Sequence, residues 1–205
     1  LQERCNAETF PNEEILPSAQ VLLLYFIYNG TVEITTSQVA KELGLTPTSI
    51  SRASRQLEKL GLIQTMKTGK QKIIHSDSSP KELFERTQQK LLNPVKKTVY
   101  IPKTCVTSEL LESGYFALAH YTMINVPQIK CFAIDSISRW KDVMTNNLLD
   151  SENQMAVEMW RYNPHLLSKE DKVDELSLAL SLRDDADERV EAAVDEMLEK
   201  LWGKI

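Results

Sequence analysis

Residues 36–75 constrain the fold more than any other stretch: TSQVAKELGLTPTSISRASRQLEKLGLIQTMKTGKQKIIH. Val39, Ala40 and Leu43 share one face of a first helix, which Thr36 or Ser37 can cap with a hydroxyl. Gly44 ends that helix, and Leu45 plugs the corner. Thr46 is the next N-cap. Pro47 follows at the first helical position, where its missing N–H has no intrahelical partner to lose. Ile50, Ala53, Leu57 and Leu60 recur at three- and four-residue spacing and give the second helix an apolar stripe. Its other face carries Thr48, Ser49, Ser51, Arg52, Arg55, Gln56 and Lys59. Gly61 stops the helix, and a hairpin turns at residues 67–70 with Leu62, Ile63, Met66, Ile73 and Ile74 around it.

Helix, glycine turn, proline-started helix, glycine stop and basic hairpin in that order predict a winged helix-turn-helix. Small hydroxyls let a helix end approach bases and phosphates, and arginine reads guanine with two parallel hydrogen bonds. Arg52 and Arg55 are therefore the candidate base or phosphate contacts. Thr48, Ser49 and Ser51 stand near them at the helix start, with Thr36, Ser37, Thr46 and Lys59 alongside. Lys67, Lys70 and Lys72 make the hairpin a basic wing suited to a phosphate backbone. The competing account is a packed helical pair whose polar face is simply solvated.

LGLTPTSISRASRQLEKLGLI, followed by the lysine-rich hairpin, resembles the MarR-type winged-helix regulators over residues 16–75. The resemblance implies a sequence-specific DNA-binding transcriptional regulator, a repressor, in a cytoplasm. Those regulators dimerise through helices on both sides of the winged helix. Here 16 residues precede Pro17, and Pro94 cuts the following helix short. If a homodimer forms, the expected contact is the outer side of residues 17–28 or the last helix.

Charge divides the chain. Residues 31–103 hold 13 Lys and Arg against 6 Asp and Glu, whereas residues 104–205 hold 10 against 19. The whole chain carries −5. A basic segment joined to an acidic one suggests two modules with different partners, the acidic one directed away from DNA. The fold class expected is α+β, with a winged-helix domain at residues 1–100 and an acidic α+β domain at residues 101–205.

The chain begins at Leu1 rather than Met, which points to a longer native N-terminus. There is no signal-peptide pattern, and the longest apolar run, residues 21–27, is too short to span a bilayer. Cys5, Cys105 and Cys131 are odd in number and widely spaced, which fits reduced thiols rather than a zinc site or disulfide framework.

Elements expected outside the motif follow from periodicity. Residues 1–16 read as an extended arm or strand, Pro17–Tyr28 as a helix, and residues 32–34 as a third strand beside the wing. The 17–28 helix is apolar nearly all round, which predicts burial on more than one side, by a partner subunit among other covers. A helix follows at 81–92 and a strand or linker at 95–102 with Lys96 and Lys97. The second half reads as a helix at 107–124, a strand at 130–135, a short helix at 136–144 with Ile137, Trp140 and Val143, and a strand at 154–162. Residues 173–182 fit either period, and Glu188–Trp202 is an amphipathic helix entered through Asp184, Asp185 and Asp187.

No catalytic motif stands out, and neither a cofactor nor a metal is expected. Asp135 and Glu158 fall on adjacent strands, as in a metal-dependent nuclease, but Trp160 stands where such a site wants lysine. His120 sits in an apolar stretch and reads as a hydrogen-bonded core residue. Tyr115, Phe116, Tyr121, Phe132, Trp140 and Trp160 are either core or the lining of a small-ligand sensor pocket. ESGYFALAHYTMI, CFAID, VEMWRYNP, VDELSLALSL and DERVEAAVDEML together are similar to the region C-terminal to the winged helix in AbiEi-type antitoxins. That resemblance implies a self-repressing antitoxin whose acidic half opposes a toxin-like protein partner.

Overall fold

The computed structural model describes residues 14–30, 33–69 and 71–205. Residues 1–13 of the arm or strand expected at 1–16, Val32 of the third strand and Lys70 of the wing lie outside the described residues. The fold is α+β: seven α-helices and two small sheets among the described residues.

α1 (Pro17–Tyr28) starts on a proline, and the Gln56 side chain satisfies the Leu16 N–H beside it at 2.9 Å. β1 (Ile34–Thr35) leads into α2 (Thr36–Glu42) and α3 (Pro47–Lys59). β2 (Gln64–Thr68) and β3 (Gln71–His75) close an antiparallel sheet in the order β1-β3-β2. This succession is a winged helix-turn-helix. Gly44 and Gly61, at φ +59° and +67°, end the two helices in the left-handed region that side chains with a Cβ disfavour.

α4 spans Pro80–Thr87, shorter than the expected 81–92, although Ser79 and Glu82 cap its start reciprocally. The backbone groups just beyond its end are claimed from elsewhere. Arg183 donates to Gln88 O and Leu91 O, and Gln20 takes both backbone groups of Leu92. Leu92 thereby spends both of its backbone groups outside a helical ladder.

β4 (Val95–Pro102), β5 (Leu111–Glu112), β6 (Cys131–Ile134) and β7 (Gln154–Trp160) form a mixed sheet ordered β4-β7-β6-β5, with only β6 and β7 parallel. The expected 107–124 helix is instead β5 followed by α5 (Gly114–Leu118). Gly114 has φ +54°, which a helix interior does not adopt, and a Cβ there would lie 3.4 Å from the Cys131 side chain. The expected helix at 136–144 reduces to one 3-10 turn at Ser138–Trp140. Trp140 in it and Ile137 just before it are buried, but Val143 is exposed. α6 (Glu175–Leu182) resolves the ambiguous stretch as a helix, and α7 is Glu188–Trp202 as expected.

β7 serves two cores by its alternation. Met155 and Val157 join Val99, Ile101, Phe132 and Trp140 on one side. Trp160 faces the other way, into a cluster that runs without interruption from α1 and α3 through α6 and α7. The apolar core therefore does not divide near residue 100. α1 is its centre: Leu22, Leu23, Leu24, Phe26 and Ile27 are fully buried, each worth about 1.5–3 kcal/mol. One side packs on α3 and α4, and polar bonds from Gln20 and Tyr28 reach Tyr162 and Asp174. The all-round apolarity of α1 is thus covered within the chain. It leaves no apolar outer side for a partner copy.

Candidate nucleic-acid interface

The turn between α2 and α3 is fixed by its own atoms. The Leu45 N–H returns to Ala40 O at 3.0 Å, and Thr46 Oγ1 accepts from the Ser49 N–H at 3.1 Å. Ile50, Ala53 and Leu57 anchor α3 in the core. Thr48, Ser51, Arg52, Arg55 and Lys59 consequently share the opposite, exposed face, because a 3.6-residue turn brings these positions onto one stripe. Lys67 is exposed on β2 of the wing.

The other expected contacts divide. Thr46 is exposed, but its hydroxyl is engaged as the α3 cap, 2.9 Å from the half-buried Ser49 hydroxyl. The cap of α2 is Thr35, not Thr36 or Ser37: its Oγ1 accepts from the Gln38 N–H at 3.2 Å. The entry into the helix begins one residue earlier than expected. Thr36 is half-buried, and the exposed Ser37 hydroxyl lies 3.1 Å from Thr35 Oγ1. Gln56 is not on the outer face. It is buried, with its amide donating to Glu14 O at 3.0 Å. Lys72 does not project from the wing either. Its ammonium turns back on α3, 3.3 Å from Ser54 Oγ and 4.0 Å from Glu58.

Two groups missed by the helical-face argument shape this surface. Glu58 accepts from Thr65 Oγ1 and faces Lys72, placing a carboxylate at the junction of α3 and the wing. Tyr25 of α1 donates to Glu42 at the end of α2, and burial, reinforced by that bond, pushes its hydroxyl up to about 12. The same bond holds the Glu42 carboxyl below its ordinary range.

No family model, curated protein or solved structure matches this chain. The functional reading therefore rests on the residues themselves.

The remaining candidates in the second half are dispersed. Glu158 accepts from Ser113 Oγ at 2.6 Å and from Trp160 Nε1 at 3.0 Å, so its carboxylate holds β7 to the start of α5. Asp135 is exposed and lines a different cavity, beside Glu109, Arg139 and His165. His120 is not a core residue. Its ring is half exposed, and Nε2 lies 2.6 Å from Glu112. Phe116, Phe132 and Trp140 pack in one core and Trp160 in the other, so the six aromatics do not line a common pocket. Among the described residues no group of three His, Cys, Asp or Glu is placed to hold a metal ion. No described helix is long and apolar enough to cross a membrane.

Proposed function

We propose that this chain is a DNA-binding transcriptional regulator that inserts α3 into the major groove and lays the β2–β3 wing on the phosphate backbone. One observation carries the reading. Thr48, Ser51, Arg52, Arg55 and Lys59 form a single exposed stripe on a helix whose opposite face is locked in the core, and Lys67 is exposed on the adjoining hairpin. Small hydroxyls with arginines on the exposed face of the second helix suit the chemistry of base edges and phosphates. The resemblance of residues 16–75 to MarR-type regulators supports the same reading.

The test is binding of the full chain to a long mixed-sequence duplex, titrated with salt. If Arg52, Arg55 and Lys67 each neutralise one phosphate, log K falls with log salt at a slope of about −2.7 per copy. The Arg52→Ala/Arg55→Ala double variant should flatten that slope by about 1.8 and leave the far-UV circular dichroism unchanged. Absence of binding at low salt, or binding that the double variant does not weaken, would overturn the proposal.

A further inference from the structure

A cavity of about 340 Å3 opens between the four-stranded sheet and α5, a volume within the range of small-ligand sites. Small side chains create it. Tyr100, Ala156 and Cys131 stand opposite one another across β4, β7 and β6 and form its floor. Ala156 leaves a hollow between its two larger neighbours, and Gly114 at the start of α5 adds no side chain to fill it. Leu148 and Tyr115 also line the cavity while remaining 39% and 36% exposed, so its opening is apolar. The Tyr115 hydroxyl is committed to Asp185, which leaves the ring as wall.

One charge lines this apolar space: the half-buried Glu158, on the same face of β7 as Ala156. Ser113 Oγ and Trp160 Nε1 both donate to its Oε2, at 2.6 and 3.0 Å, and fix the carboxylate in place. Oε1 lies on the Gly114 side of the cavity, 3.7 Å from where a Cβ on that glycine would stand. No N–H or O–H group among the described residues donates to Oε1, and none of their lysines, arginines or histidines pairs with Glu158. Asp174, which caps α6 through Oδ1, also leaves one oxygen without a partner, but that Oδ2 is sealed from solvent and open to no ligand. Glu158 Oε1 is not sealed. The Cys131 thiol beside it stays protonated, because burial and the Glu158 charge both raise it.

We propose that this cavity binds a small primary amine with an aryl or alkyl body, whose ammonium donates to Glu158 Oε1 and whose body occupies the apolar hollow over Ala156. Other ligand classes fail on charge. A hydrocarbon would displace the water on Oε1 and leave the carboxylate desolvated without a countercharge. A carboxylate ligand would set like charge against like. A protonated amine supplies both the missing donor and the missing charge, in a charge-assisted bond stronger than a neutral one. The proposal does not rest on DNA binding by α3.

The test is isothermal titration and thermal shift of the full chain with benzylamine, phenethylamine and hexylamine at neutral pH, where all three are protonated. Each is paired with the alcohol and the carboxylate of the same skeleton. At least one amine should bind saturably and raise the melting temperature, with its alcohol and its carboxylate at least about tenfold weaker. Glu158→Gln keeps an acceptor for Ser113 and Trp160 but removes the charge, and should bring the amine down to the affinity of its alcohol. Ala156→Leu leaves Glu158 intact and fills the floor of the hollow, and should weaken the amine at least about tenfold. Absence of saturable amine binding up to about 10 mM would overturn the proposal. So would an alcohol that binds as tightly as its amine, or amine binding unchanged in either variant.

Discussion

Removing the side-chain amide of Gln20 should destabilise the whole chain by an amount that the structure allows to be worked out. Gln20 is fully buried in α1. Its Nε2 donates to Leu92 O at 3.0 Å and, at 3.4 Å, to the Tyr162 hydroxyl, while Oε1 accepts from the Leu92 N–H at 2.6 Å. Gln20→Leu keeps most of the volume and removes all three bonds. Two backbone groups of Leu92 then lose their protein partners, at roughly 1–3 kcal/mol each. The Tyr162 hydroxyl keeps Ser177 at 2.8 Å, so its loss counts for little. Leu92 is half-buried, and water can recover part of the deficit. The expected cost is about 2–4 kcal/mol. In a chain of this size that lowers the melting temperature by roughly 5–15 °C. Differential scanning calorimetry with a urea titration reads both quantities. A fall below about 2 °C would refute the reasoning. Two separate transitions in the wild type would also refute it, because Gln20 would then join units that unfold independently.

Other substitutions separate charge, burial and backbone effects. Lys67→Ala should flatten the salt slope of DNA binding by about 0.9, whereas Lys72→Ala, whose ammonium faces Ser54 and Glu58, should leave it nearly unchanged. Burial raises the Asp174 carboxyl above its ordinary value. Its contribution to stability is therefore fully present below about 3.9 and lost as the pH rises through the raised value. Asp174→Asn should accordingly gain melting temperature relative to wild type as the pH rises above about 4, and a difference that moves the other way would contradict this. Gly61→Ala meets open space but must hold φ +67°, so urea denaturation should show a loss of about 1–2 kcal/mol. Burial, with Glu158 beside it, pushes the Cys131 thiol well above its ordinary value, and peptide mapping after mild iodoacetamide treatment at pH 8 should find it largely unmodified.

Where the sequence carried punctuation, the elements were legible. Pro17, Pro47, Gly44 and Gly61 mark helix ends through φ preferences that act locally, and α1, α3 and the hairpin fall where those residues put them. The exposed stripe of α3 was legible for the same reason, since its spacing follows from helix geometry alone. Residues 107–124 failed because Leu110, Leu111, Leu118 and Tyr121 imitate a helical face, while the deciding contact, Ser113 and Gly114 against Cys131, is tertiary. The single local warning was a glycine in mid-helix. Gln56 and Lys72 failed differently. A wheel assigns polar residues to solvent, but Gln56 satisfies the backbone at Leu16 and Glu14, and Lys72 returns to Ser54. Asp174 had a signal, an acid just before the apolar run of α6, but capping logic says nothing of its second oxygen.

The cover over α1 has the widest consequence. A helix apolar all round needs cover on every side, and one chain long enough to fold a second layer can supply it without a partner. Here α3 and α4 cover one side, and the acidic half reaches the other through Tyr162, Asp174 and Leu176. The charge boundary near residue 103 is therefore not a packing boundary. Lys81 of α4 pairs with Glu199 of α7 at 2.7 Å, and Arg183 holds the carbonyls just beyond α4. A basic and an acidic segment of one chain attract each other as readily as they would outside partners, so separation of charge along a sequence does not require separation in space. A second copy would have to dock elsewhere than on α1. The most exposed large apolar side chains among the described residues, Met123 at 94%, Leu149 at 74% and Val126 at 64% exposure, lie in loops of the second half that helical periodicity does not single out.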